Sequence, residues 1–139
     1  GYHDKAFVQW PGIIVGRKGN VGSIFWSQVD FFPIDTVFYV VTDISLHYVY
    51  YNLQSQNFFN TDAAVPGLNR NQAYLNDMLI PDQKVIAQFQ EQNETIFRQI
   101  KIFSDITLTL SQTRDLLLPK LISGKVDVSE LDIDVGAEA

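Results

Sequence analysis

The chain has 139 residues, of which 46% are hydrophobic and 13% aromatic, and its formal net charge is −6. This content is ample for a packed core and excludes disorder along the whole chain. The absence of cysteine excludes disulfides and thiolate metal sites and fits a reducing cytosol. No apolar run approaches the roughly 20 residues of a membrane span. We therefore expect a cytoplasmic domain with an arm, or a fragment of a longer protein, that has no membrane partner.

The charges are unevenly distributed along the chain. Residues 1–81 carry four cations against six aspartates, residues 82–124 carry five charges of each sign, and residues 125–139 carry one lysine against five acids. The last segment therefore supplies most of the acidity. Because the rest of the chain is a poor bulk attractor for nucleic acid, any such contact has to depend on a local basic patch.

The first 80 residues predict a small mixed α/β lobe. Apolar runs typical of strands lie at residues 12–16, 21–26 and 36–42, with a weaker one at residues 57–60. Glycine and asparagine at residues 17–20 favour a tight turn between the first two strands, because both residues tolerate positive φ. Residues 43–53 have apolar side chains at helical spacing behind Asp43 or Ser45, either of which suits a helix cap.

A long helix is predicted over residues 82–123, with Pro81 in its first turn and Gly124 at its end. Apolar residues recur at every seventh position in one series, and a second series three residues earlier alternates apolar with polar, which is a heptad repeat. At ~1.5 Å per residue this helix would run about 60 Å, too long for the rest of the chain to cover. The candidate helix-pairing residues are Ile86, Phe89, Asn93, Ile96, Ile100, Phe103, Leu110 and Leu117. Asn93 on the seam would fix the register of the pair, and the alternative is a helix that folds back on its own lobe.

Two polar segments of the lobe are candidate nucleic-acid contacts. Arg17, Lys18, Gly19 and Asn20 lie in the glycine-bracketed sequence GRKGNVG, where exposed N–H groups beside two cations suit phosphate and an arginine fork suits guanine. Asn69 and Arg70 have side chains that match base edges. The alternatives are a hairpin turn whose charges only keep it soluble, and an ordinary polar turn.

No pattern of residues indicates catalysis. His3 and His47 are the only histidines and have no metal-ligand spacing, the phosphate-loop pattern is absent, and the aspartates are scattered. We therefore expect no catalytic residue, no metal site and no cofactor. The tyrosines of residues 48–51 either stack on bases or, as is more usual at helical spacing, belong to the core.

Five segments resemble a known family in their sequence and order. They are PGIIVGRKGNVGSIFW, FFPIDTVFYV, AVPGLNR, IPDQKVIAQF and LSQTRDLLLPKLISGKVDVSEL. This series is similar to the specificity subunits of type I restriction–modification systems, and the resemblance spans about residues 8–131. The run QTRDLLLPKLISG is its most specific part.

The resemblance implies an α+β fold in three parts: a target-recognition lobe at residues 1–80 that is shortened at its N-terminus, a conserved coiled-coil or spacer helix at 81–124, and an acidic C-terminal tail at 125–139. It implies a non-enzymatic half-subunit or C-terminal fragment that reads one half of a bipartite target in double-stranded DNA and docks methyltransferase and restriction subunits. A second recognition unit would join by antiparallel helix pairing, which includes a homodimer. Both polar segments would then face DNA. The rival interpretation is a structural coiled-coil adaptor with no nucleic-acid contact.

Overall fold

The computed structural model describes residues 4–58 and 67–129. Its elements in chain order are β1 (Gly12–Gly16), β2 (Ile24–Ser27), β3 (Val37–Tyr39), α1 (Leu46–Ser55), α2 (Arg70–Ala73) and α3 (Gln83–Ile122). A small sheet with helices and a long C-terminal helix confirms the predicted α+β class. The weak strand predicted at residues 57–60 is not formed at residues 57 and 58, and its other half lies outside the described residues.

The three strands form an antiparallel sheet with β1 in the centre, in the order β2-β1-β3. Ile13 lies opposite Trp26, and Val15 lies opposite both Ile24 and Phe38. Because directly opposed residues share one face of a sheet, these five side chains line the same face. Ile13 and Val15 are buried there, so this face carries the core.

Helix α1 packs on that face of the sheet. Of the two predicted caps, Ser45 is the one used, and its hydroxyl oxygen accepts from the Tyr48 N–H at 3.5 Å. Val49 of α1 joins Leu68 and the buried residues of β1 in the core cluster. Strand β3 is shorter than the predicted run of residues 36–42, because its pairing with β1 covers only Val37–Tyr39.

Both ends of α3 are fixed by local hydrogen bonds. The helix begins at Gln83, one residue later than predicted, since the side chain of Asp82 caps it by accepting from the Lys84 N–H at 2.8 Å. Pro119 lies inside the helix, which continues to Ile122. Gly124, with φ of +68°, then closes a Schellman motif, as predicted from its position after the last periodic residue. In this motif the N–H groups of residues 124 and 125 donate to the carbonyls of Leu121 and Lys120 at 3.1 and 2.9 Å respectively.

The chain divides into two compact units, Gly1–Phe97 and Arg98–Ala139. The first unit extends beyond the predicted lobe boundary at residue 80, because α3 side chains as far as Phe97 pack on aromatic rings of α1. The second unit contains the remainder of α3.

Candidate nucleic-acid interface

The turn that joins β1 to β2 is closed by backbone hydrogen bonds. The Gly16 N–H donates to the Ser23 carbonyl and the Gly22 N–H donates to the Gly16 carbonyl, each at 2.8 Å. Gly22 has φ of +75°, and a Cβ there would lie 2.6 Å from Cβ of Phe58, so the position requires glycine. The connection runs over residues 17–23 and is longer than the tight turn predicted at residues 17–20, because β2 begins at Ile24 and not at residue 21. Residues 18–20 are exposed in it.

The basic segment of this turn also contacts two other parts of the lobe. The N–H groups of Arg17 and Lys18 both donate to the Thr36 carbonyl, at 2.9 and 3.1 Å. On the other side, the Leu68 N–H donates to the Arg17 carbonyl at 2.7 Å, and Lys18 forms an isolated antiparallel bridge with Gly67. The backbone therefore brings together the two candidate segments that the sequence keeps far apart.

One arginine from each of those segments lies over the aromatic ring of Phe38. The guanidinium carbon of Arg17 lies 5.4 Å from the ring centroid, and that of Arg70 lies 5.9 Å from it. Both distances are within the range of cation–π attraction, roughly 6 Å. Arg17, Lys18 and Arg70 thus form a local basic patch on a chain that is acidic overall.

Asp35 is the carboxylate of this patch. Its Oδ2 lies 2.5 Å from the Lys18 ammonium nitrogen, and its backbone carbonyl accepts from Nη1 of Arg17 at 3.1 Å. The hydrogen bond from Lys18, together with the positive charge of that residue, holds the pKa of Asp35 below its ordinary value of 3.8. The carboxylate is therefore ionised at neutral pH and compensates part of the positive charge.

The two candidate asparagines have different surroundings. Asn20 is exposed at the tip of the turn. The side chain of Asn69 accepts from the backbone N–H groups of Gln72 and, at 3.0 Å, of Asn71. The Asn69 backbone N–H donates in turn to Oε1 of Gln72 at 3.2 Å, which completes a capping box for α2. A bidentate contact with adenine needs both the oxygen and the amide N–H groups of an asparagine. While this cap is in place, Asn69 offers only its amide N–H groups.

The first three candidate pairing residues are covered by their own chain. Ile86 and Asn93 are buried, and the ring of Phe89 meets those of Tyr48 and Tyr51 edge-on at 6.2 and 5.9 Å between centroids. The Asn93 amide donates to the Phe89 carbonyl at 2.7 Å. In this part of α3 the helix does pack on its lobe, which was the alternative left open by the sequence. The tyrosine contacts likewise favour the core interpretation over base stacking.

The other candidate pairing residues are exposed. Ile96 belongs to the first unit and is half exposed, whereas the rest lie in the second unit. The exposed fractions there are 44% for Ile100, 66% for Phe103, 64% for Leu110 and 43% for Leu117. Thr107, on the same seam, donates its hydroxyl to the Phe103 carbonyl at 2.8 Å, so this polar residue needs no partner from another chain.

His47 belongs to the core of the lobe. Its ring stacks on Trp26 with 4.8 Å between centroids and meets Phe97 edge-on at 4.8 Å. Burial lowers the pKa of His47 below its ordinary value of 6.5, and the negative charge of Glu94 partly opposes that shift. The neutral ring therefore packs as an aromatic side chain, and His3 lies outside the described residues.

Sequence reasoning missed Phe38 and Asp35. Each was part of a predicted strand or its approach, and nothing in the spacing marked either as a functional residue. The feature that would have identified Asp35 is the register of β3 on β1, in which Gly16 lies opposite Val37. Continuing that antiparallel register by two residues sets Asp35 opposite Lys18, so the ion pair follows once the strand pairing is known.

Within residues 4–58 and 67–129, no three His, Asp or Glu side chains are grouped so that they could hold a metal ion. In that same part of the chain, no helix is both long and apolar enough to cross a membrane. None of the protein-family models matches the sequence, and no curated protein matches it at a significant level. The function is therefore inferred from the geometry of this chain and from the resemblance carried by its own segments.

Proposed function

We propose that this chain is a DNA-recognition module of a type I restriction–modification specificity subunit. In the cytosol it contacts one half of a bipartite double-stranded target, docks methyltransferase and restriction subunits, and performs no catalysis itself. The observation that carries the proposal is the convergence of the turn at residues 17–20 and the segment at Asn69 and Arg70. Both segments belong to the family resemblance, and both supply an arginine to the ring of Phe38.

The charge of this patch supports a contact with DNA. A chain with a net charge of −6 is repelled by a polyanion in bulk, so a DNA contact requires cations gathered on one part of the surface. Within the described residues, Arg17, Lys18 and Arg70 gather here, Asp35 is the carboxylate paired with them, and Lys18 is itself exposed. Arginine and asparagine are also the residue types that contact guanine and adenine edges.

The second unit supports the pairing part of the proposal. From Ile100 to Leu117 the apolar seam residues of α3 are exposed in the single chain. Helices that expose a heptad seam are stabilised by a partner helix that buries it. The proposed partner is the helix of a second recognition unit, which runs antiparallel and includes the case of a second copy of this chain.

DNA binding is tested by fluorescence anisotropy with a labelled duplex over a range of salt concentrations. The logarithm of the association constant should fall linearly with the logarithm of salt concentration, by about 0.9 per phosphate neutralised. The double variant Arg17→Ala/Lys18→Ala should reduce that slope by roughly one to two. The control is Lys120→Ala/Lys125→Ala, which makes the same change in net charge at the end of α3 and should leave the slope nearly unaltered.

A structural coiled-coil adaptor without nucleic-acid contact is the second candidate. It is favoured by the exposed apolar residues that lie off the seam, among them Ile102, Ile106, Leu108 and Leu118. An adaptor would show no salt-dependent binding to any duplex, and both double variants would behave like the wild type. If the two double variants lost DNA affinity equally, the attraction between protein and DNA would be nonspecific. The turn at residues 17–20 would then not be part of the DNA site.

A further inference from the structure

Phe38 links the basic patch to the core of the lobe. It lies opposite Val15 in the β1–β3 pairing, on the face of the sheet that carries the core, and its ring packs against the core cluster. The two guanidinium groups above it come from separate segments, Arg17 from the turn and Arg70 from the first residue of α2. One ring that packs on the core therefore lies beneath the guanidinium groups of two separate segments and limits their positions.

The three cations of the patch are not equally available to a ligand. Lys18 is paired with the Asp35 carboxylate at 2.5 Å, and Arg17 has Nη1 engaged by the Asp35 backbone carbonyl at 3.1 Å. Among the described residues, the guanidinium of Arg70 makes no hydrogen bond or ion pair, and its carbon lies 5.9 Å from the centroid of the Phe38 ring. Arg70 therefore has all its N–H donors to offer, whereas the charge of Lys18 is already compensated.

A guanidinium held over an aromatic ring suits a phosphodiester. Its planar fork matches two oxygens of one phosphate, and a side chain that is ordered beforehand loses less conformational entropy when it binds. A lysine is a point charge on a flexible stem and lacks this geometry. The features that distinguish Arg70 from Lys18 are thus the ones that strengthen a contact with the DNA backbone.

We propose that Phe38 holds Arg17 and Arg70 as a two-arginine site for DNA backbone phosphate, and that Asp35 holds Lys18 back from it. This inference rests on the proposed function and assigns roles within that site. Arg70 supplies the dominant phosphate contact. Phe38 is a positioning residue that touches no DNA, and Asp35 is the internal counter-ion that weakens the contribution of Lys18.

The test measures the dissociation constant and the salt slope for one labelled duplex with four variants. Arg70→Ala should weaken binding about tenfold at low salt and reduce the slope by about one, since one phosphate contact is lost. Lys18→Ala should have a clearly smaller effect on both quantities. Phe38→Leu should weaken binding about fivefold while the slope is unchanged, because every charge remains. Phe38→Tyr keeps the aromatic platform and should bind like the wild type.

The unchanged slope of Phe38→Leu separates a positioning role from the loss of a charge. Since Phe38 also packs on the core, thermal unfolding followed by circular dichroism establishes whether the leucine variant is folded. If the leucine variant is unfolded, the comparison of Arg70→Ala with Lys18→Ala still tests the inference. Neither Arg70 nor Lys18 is buried, so both alanine variants should remain folded.

Asp35→Asn gives an independent readout. Removing the carboxylate releases Lys18, so DNA binding should strengthen severalfold and the salt slope should rise. A larger effect of Lys18→Ala than of Arg70→Ala, or a folded Phe38→Leu variant that binds like the wild type, would overturn the inference and leave the proposed function standing. A wild-type chain with no salt-dependent binding to DNA would overturn both.

Discussion

One heptad repeat runs through α3, but its apolar residues have two different environments. In the first unit Ile86 is buried, and the ring of the seam residue Phe89 meets those of Tyr48 and Tyr51 at 6.2 and 5.9 Å between centroids. Phe97, which lies off the seam, adds a contact with Trp26 at 4.4 Å between centroids. In the second unit the equivalent stripe is open, and Phe103 is 66% exposed. The same periodicity therefore anchors the helix to its lobe in one part and offers an unpaired surface in the other.

This difference shows what a heptad repeat does and does not indicate. Seven-residue spacing requires that one side of the helix be covered, and aromatic rings from α1 meet that requirement as well as a second helix would. In the first unit the cover comes from Tyr48, Tyr51 and their neighbours. In the second unit the described residues leave the seam exposed, which is why we propose helix pairing for that part.

The largest effect is expected from a charge placed on the open seam. Phe103→Asp should raise the dissociation constant of a paired form by a factor of a hundred or more, since burying an unpaired carboxylate costs on the order of 3 kcal/mol or more. Light scattering over a dilution series measures this directly. The matched control is Ile102→Asp, half exposed one residue away and off the seam, which should keep the pairing of the wild type. An unchanged mass for Phe103→Asp would show that the seam is elsewhere.

A smaller effect is expected in the part of α3 that packs on the lobe, and there the stability of the fold should change and not the pairing of helices. Phe97→Ala should lower the free energy of unfolding by about 2–3 kcal/mol, since a half-buried ring loses its contacts and leaves a partial cavity. Phe103→Ala should cost less than about 1 kcal/mol when both are compared at concentrations where the chain is monomeric. Urea unfolding followed by the fluorescence of Trp10 and Trp26 provides both values. Equal losses for the two variants would mean that exposure does not distinguish the two parts of α3.

The fold was largely predictable from the sequence because local signals were strong. The apolar run of β1, the cap at Ser45 and the glycine that ends α3 each specify an element through nearby residues. The environment of α3 was not predictable, because heptad spacing is the same whether the cover comes from the lobe or from a partner. The convergence of Arg17 and Arg70 on Phe38 was equally hidden, since it depends on tertiary pairing between distant segments.

Asn93 gives the smallest and most discriminating test of the comparison. At a seam position its amide would set the register of a helix pair, yet here it is buried and donates to the Phe89 carbonyl at 2.7 Å. Asn93→Ala should therefore cost roughly 1–2 kcal/mol of unfolding free energy through the lost buried hydrogen bond and leave the pairing constant within about twofold. Thr107→Ala removes a similar hydrogen bond at an exposed seam position and should cost less than about 0.5 kcal/mol. The opposite result would be that Asn93→Ala changes the oligomeric mass in light scattering while the free energy of unfolding stays the same. A partner helix would then contact this part of α3, and the first and second units would not differ in how they cover the helix.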